Sequence, residues 1–266
     1  MKEDVIIEYG LDSLGTERAN LHVAHVYCLD GQCDVCYNDG HALLAAGDCM
    51  IIINNRLVEK ACPSPDFKCI AIYISTSFLK ICSPGNNYFI RGIMTLFTNP
   101  VMKLLPDEQE ICLSDFRNVE SRLRRTSHHF SQEVLACAVQ ELFLDFHDFH
   151  ARIYGYTDVP VQAAALLSRF FSMLESGACR KHRKVAYYAS ELCVVPKYLS
   201  DICYKLSGFS AIFWIKRFSV QEIKRLLRDK SLTVNQIADM MDFSSSAHFS
   251  RYVKQNLGVT PMEYRG

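Results

Sequence analysis

Two stretches in the last third of this 266-residue chain repeat one another loosely, about 49 residues apart, and they constrain its fold more than any other feature. The first is VAYYASELCVVPKYLSDICYKLSG (185–208) and the second is VNQIADMMDFSSSAHFSRYVKQNLG (234–258). Each sets an Ala within a short helical pattern, Ala189 or Ala238. An apolar residue follows three positions on (Leu192, Met241), with another two beyond (Val194, Phe243). A second helical pattern has inward positions Leu199 and Ile202 in one copy, Phe249 and Val253 in the other, and ends at Gly208 or Gly258. Those glycines suit a left-handed helix cap. The spacing is that of a helix-turn-helix, where the small Ala lets the second helix cross close above the first.

The connector, SAIFWIKRFSVQEIKRLLRDK, starts at Ser210 and offers Trp214, Phe218, Ile223, Leu226 and Leu227 to the two units. About eighteen helical residues span ~27 Å. A rod of that length can hold two recognition helices near the ~34 Å repeat of one DNA turn. Charge points the same way. From Leu166 onward there are 16 Lys+Arg against 8 Asp+Glu, and residues 1–165 carry 13 against 21, although the whole chain sums to zero. That asymmetry predicts a polyanion partner for the C-terminal part.

The first hundred residues read as β-structure. LHVAHVYCL, CDVCY, HALLAA and CMIIIN are short and rich in β-formers, separated by turn signals at Asp30–Gln32, Asn38–Gly40 and Gly47–Asp48. Their spacing predicts an antiparallel barrel or sandwich. From about Asp115 the period becomes helical. Phe130, Val134, Leu135, Ala138, Leu142, Phe146 and Phe149 form one stripe, which can pack on the chain's own β-domain or form a dimer seam. Asp158 and Pro160 suit the start of a further helix, after which the chain reads as all-helical.

KYLSDICYKLSGFSAIFWIKRF, IKRLL and LTVNQIADMMDFSSSAHFSRYVKQNLGVTPMEYR together resemble the AraC/XylS family of bacterial transcription regulators, with Lys254, Gly258, Pro261 and Arg265 in register. The segment HVAHVYCLDGQCDVCYNDGHALLAAGDCMIII is similar to the cupin-type sensor domain many members carry. The resemblance implies an α+β multidomain chain. Residues 1–110 would be an effector-binding, cupin-like antiparallel β-barrel, 111–157 a helical linker and dimerisation segment, and 158–266 an all-α double helix-turn-helix. Two positions depart from the family pattern. Asp242 stands where Gly is usual, and Val195-Pro196 replaces the usual Ser cap.

Carried over by position, base-facing residues are Lys197, Ser200 and Asp201 in the first unit, and Ser246, Ala247, Ser250 and Arg251 in the second. The Arg251 fork suits a guanine edge, Ala247 a thymine methyl, and Asp201 either cytosine N4 or an outward capping role. Lys205, Lys216, Arg217 and Lys254 are placed to meet phosphates. The implied partners are double-stranded promoter DNA, RNA polymerase, a second copy of the chain and a small-molecule effector. Whether the protein acts as activator or repressor depends on the promoter. For the effector, His22, His25, Tyr27, Tyr37 and His41 are the polar-tipped candidates on the strands.

Enzyme chemistry finds little support. Asp242, His248 and Ser244–Ser246 are triad residue types, but they share one helix-turn-helix and lack an oxyanion site. Metal-binding cupins use His-x-His followed by Glu, whereas His22 and His25 are three apart and point to opposite faces of a strand. The same geometry separates Cys33 and Cys36, although a thiol sensor using Cys28, Cys33 or Cys36 stays open as an alternative. A β-domain serving only as a dimer module is another. No catalytic residue, metal or cofactor is expected. Neither a signal peptide nor a membrane-spanning run of roughly 18–20 apolar residues is legible, so the expected location is the cytoplasm.

Overall fold

The computed structural model describes residues 4–38, 40–82, 89–156 and 159–266, and the chain divides into two compact units, 1–159 and 160–266. Asp39 and Asp158, one inside an expected turn and the other at an expected helix start, lie outside the described residues.

Among the described residues of the first unit, eight strands form two antiparallel sheets. One has the order β1 (Val5–Glu8), β7 (Lys68–Ser75), β2 (His22–Asp30), β5 (Cys49–Ile52), β8 (Val101–Met102). The other has the order β4 (Gly40–Ala45), β3 (Gln32–Tyr37), β6 (Val58–Pro63). The four segments read as strands are β2 to β5. The β2–β3 turn needs Gly31, whose φ is +68° and where a Cβ would lie 2.7 Å from the Phe67 backbone nitrogen.

The expected closed barrel does not form: the sheets stay open, ending on β1 and β8 and on β4 and β6. The reason lies in what covers the larger sheet. Helix α3 (Pro106–Arg124) and helix α4 (Ser131–Tyr154) pack on it, joining Phe116, Val119, Leu142 and Phe146 to Val23, Tyr27, Ile70 and Ile72 in one core. A sheet whose apolar face is covered by helices need not curl shut to bury it.

The stripe predicted along α4 is therefore buried inside its own unit. Leu135, Ala138, Leu142, Phe146 and Phe149 all belong to this core, while Phe130 is exposed ahead of the helix and Val134 is half-buried. Own-domain packing, rather than a dimer seam, accounts for the stripe. Two shorter helices, α1 (Thr76–Cys82) and α2 (Phe89–Leu96), were not legible in the sequence.

The second unit is all-helical: α5 (Val161–Glu175), α6 (Val185–Glu191), α7 (Pro196–Ser207), α8 (Ala211–Arg228), α9 (Val234–Met240), α10 (Ser246–Leu257) and α11 (Pro261–Arg265). The connector α8 buries Trp214 and Ile215 near α6 and α7, and Ile223, Leu226 and Leu227 in a core with Ile237, Ala238, Met241, Phe243, Phe249 and Val253. Trp214 donates its indole N–H to Ser207 Oγ at 3.2 Å, and Arg265 donates to the Leu227 and Asp229 carbonyls at 3.1 and 2.7 Å. That guanidinium satisfies backbone acceptors left open where α8 ends.

Candidate nucleic-acid interface

Helices α6 and α7 form one helix-turn-helix, and α9 and α10 form the other. In both, the residue four beyond the inward Ala has left-handed backbone: Cys193 at φ +57° and Asp242 at φ +53°. Asp tolerates this region better than most side chains, so the fold accepts Asp242 where the resemblance led one to expect Gly. The copies then diverge. Four residues separate α6 from α7, whereas five separate α9 from α10. The repeat offset thus changes from 49 in the first helices to 50 in the second.

That extra residue corrects one inward position. Val253 corresponds to Cys203, which is fully buried, and Ile202 is only half-buried. With the offset at 50, the burial patterns of α7 and α10 agree position by position through ten residues. Leu199 matches Phe249 and Cys203 matches Val253 on the buried side. On the opposite side Lys197, Asp201 and Lys205 are exposed and Ser200 is half-buried, as are their counterparts Ala247, Arg251, Gln255 and Ser250; Ser246 and Lys254 are exposed too. Each helix therefore presents one face rich in hydrogen-bonding groups and anchors the other in apolar core.

Two exposed aromatics on α7 were missed from the sequence. Tyr204 is 65 % exposed at the position of Lys254, and Tyr198 is 47 % exposed at that of His248. At 100° per residue, Tyr204 falls between Lys197 and Ser200 on the same face. The signal that could have found them is the offset of 50. Of the other basic candidates, Lys216 is exposed on α8, and Arg217 lies with its guanidinium 5.7 Å from the Phe213 ring.

Capping separates the copies further. Ser245 accepts a hydrogen bond from the His248 backbone N–H at 3.1 Å. Thr233 and Gln236 form a reciprocal capping box at the start of α9. Neither Lys184 nor Val195, at the starts of α6 and α7, makes a side-chain cap, although Pro196 suits the first turn. Of the residues with triad chemistry, Ser244 Oγ and His248 Nδ1 are 3.2 Å apart, both exposed, where the turn enters α10. That contact joins two residues of one exposed turn.

The effector candidates fall in several surroundings. His25 and Tyr27 come together on the sheet face under the helices. His25 stacks on Phe146 (5.7 Å) and leans on Phe143 (5.4 Å), while Tyr27 lies 6.1 Å from Phe116. Burial lowers the His25 pKa to about 4 and its Nδ1 has no hydrogen-bond partner, so the ring is neutral at pH 7. His22 is half-buried on β2 and Tyr37 is buried in the smaller sheet. His41 is exposed, 3.3 Å from Asp34 Oδ2.

All twelve cysteines are free thiols. Burial pushes Cys28 and Cys33 up to about 11 and raises Cys36, which disfavours the thiolate that redox sensing requires. Among the described residues no cluster of three or more His, Cys, Asp or Glu side chains is placed to hold a metal, and no helix is long and apolar enough to cross a membrane.

Residues 188–266 match a helix-turn-helix domain family. The arabinose operon regulatory protein of Salmonella typhimurium is 26 % identical over 84 residues, which cover 32 % of this chain and 30 % of that protein. The match thus spans less than a third of the relative's length. Among solved structures, ToxT from Vibrio cholerae aligns over 98 % of this chain and 93 % of its own, at 16 % identity and a TM-score of 0.45. The C-terminal domain of AraT from Geobacillus stearothermophilus aligns over 41 % of this chain and 87 % of its own, at 22 % identity and a TM-score of 0.35.

Proposed function

We propose that the protein is a sequence-specific, DNA-binding transcription regulator of the AraC type that reads its site with two heads, a reading supported by the helix-turn-helix family match over residues 188–266. The observation that carries this reading is the shared pattern of α7 and α10, each offering an exposed polar face opposite a buried apolar one. A helix so presented fits the major groove.

In the second head, Arg251 donates two hydrogen bonds to a guanine edge, with Ser246, Ala247 and Ser250 beside it and Lys254 on phosphate. In the first head, Lys197, Ser200 and Asp201 face the bases and Lys205 the backbone. The first unit senses a small molecule, and the ligand acts by favouring one arrangement of the protein over another. The regulator works in the cytoplasm as a homodimer, in contact with RNA polymerase at its promoters.

The test compares Arg251→Ala with the unaltered chain on a site selected from random DNA and on mixed-sequence DNA. The specific complex should weaken roughly 10–100-fold and the non-specific one only a few-fold. Equal losses on both would reduce Arg251 to a phosphate contact.

A further inference from the structure

Between α5 and α6 runs a short basic segment, Cys179-Arg180-Lys181-His182-Arg183-Lys184, that belongs to neither helix-turn-helix. In the structure it is a bracket fastened at three places. Ser219, fully buried in the middle of α8, donates its hydroxyl to the Ile215 carbonyl at 2.8 Å and lies 3.3 Å from the Cys179 carbonyl. Arg180 pairs with Glu222, also on α8, at 2.6 Å. Burial alone would push the Glu222 carboxyl up, but Arg225 and Arg180 outweigh it and hold the group below the ordinary range. On the side of the first head, Tyr188 donates its hydroxyl to the His182 carbonyl at 2.8 Å.

The third attachment reaches the second head and rests on one side chain. Arg183 donates to the Met241 carbonyl at 2.5 Å and to the Asp242 carbonyl at 3.0 Å, and also to the Arg180 carbonyl of its own segment. Its guanidinium lies 4.1 Å over the Phe243 ring. Met241, Asp242 and Phe243 are the turn that aims α10, and Asp242 is its left-handed residue. Only a planar fork can grip two successive carbonyls while stacking on an aromatic face; an ammonium group can do one or the other.

We propose that Arg183 is a positioning residue that fixes the second recognition helix relative to the first, and thereby sets the spacing between half-sites that the protein accepts. The inference rests on the two-headed reading above. Inserting one base pair moves a half-site by roughly 3.4 Å along the duplex and ~35° around it. A head held rigidly cannot follow that shift, whereas a head freed at its turn can. Truncation takes a donor from the Asp242 carbonyl, on an exposed residue where water can replace it, and from the Met241 carbonyl, on a fully buried residue, so it loosens the turn.

Arg183→Met and Arg183→Lys in the full chain, with the unaltered protein alongside, test this on selected DNA carrying two half-sites at the preferred spacing and at one base pair more or less. A duplex with the first head's half-site alone is the control. The unaltered protein should lose at least 10-fold in affinity when the spacing changes. Arg183→Met should bind the preferred site about 10-fold more weakly, lose only two- to three-fold on changed spacing, and bind the single half-site normally. Arg183→Lys should fall between the two. A loss that is equal on every duplex, or a spacing profile that does not change, overturns the proposal. Amide hydrogen exchange without DNA supplies a separate readout. Exchange at 241–246 should rise in Arg183→Met while that at 192–197 stays unchanged, and unchanged exchange at 241–246 refutes the staple whatever the DNA result. If the unaltered protein selects no DNA sequence, the functional reading fails, and the spacing role fails with it.

Discussion

The two helix-turn-helix units share a burial pattern but are secured differently. The second is held by side-chain hydrogen bonds: Thr233 and Gln236 cap its first helix and Ser245 caps its second, all from within the unit, and the distant Arg183 grips the turn between them. The first has neither cap. It depends on packing of fully buried Tyr188, Ala189, Leu199 and Cys203 beside Trp214, with Phe170 5.4 Å from Tyr188. Their exposed faces differ as well, since Asp201 and Tyr204 stand where the second head has Arg251 and Lys254. One structural pattern can therefore be stabilised by side-chain hydrogen bonds or by core contacts, and it can present opposite charges on the same face.

The largest expected effect separates both heads from the first unit. Burial lowers the pKa of His25 and of His150 to about 4, with Arg91 and His147 adding to the shift at His150. A depressed histidine pKa means that, as pH falls from about 6.5 toward 4, the unfolded chain takes protons the folded chain refuses, and stability is lost. Asp115 on α3 runs the other way. Burial first, then Asp145 and Glu141, raise it to about 7, so its contribution is lost as pH rises from about 4 through 7. Burial lowers His147 to about 4 as well and raises Asp145, so three histidines oppose two carboxyls, and the first unit should lose roughly 3 kcal/mol between pH 7 and 5. The second unit has no buried histidine and should change little over that range. Denaturant melts monitored by Trp214, the chain's one tryptophan, report the second unit, and hydrogen exchange reports the first. Parallel losses in the two units would contradict this assignment.

Caps give the next effect. Ser245→Ala should cost the second head about 1 kcal/mol, and Val195→Ser should stabilise the first by roughly 0.5–1 kcal/mol. Equal and negligible changes would mean that packing sets both helices and that the contrast between the heads is superficial.

The smallest effect is at the turns. Asp242→Gly and Cys193→Gly should each relieve left-handed strain by at most about 1 kcal/mol. Asp242→Gly should give the smaller gain, because Arg183 already holds that backbone. A loss of stability at either position would show that the side chain matters more than the backbone.

Much of the second unit was legible because its constraints are local. Ala189 and Ala238, the closing glycines and the apolar faces of the connector all sit at fixed sequence intervals. The single-residue difference between the turns was not, since a loop residue leaves no periodic trace. It hid the pairing of Cys203 with Val253 and of Tyr204 with Lys254. In the first unit, β2 to β5 could be read from alternation and turn residues. Sheet closure could not, because it depends on α3 and α4 covering Val23, Tyr27 and Ile72, a contact between distant segments. His25 looked like a pocket residue for the same reason: its stacking on Phe146 joins positions 121 apart. Arg183 carries no signal in the sequence, since only the fold brings the turn at Met241 and Asp242 to it.

A regulator with two heads should engage one DNA molecule with both at once. The direct measurement is the affinity of the full chain for a selected two-half-site duplex, set against the same duplex with either half-site scrambled, at one fixed salt concentration. Joint engagement predicts that scrambling either half-site weakens binding by at least 10²-fold. An affinity for the intact site no greater than that for its better half would contradict it.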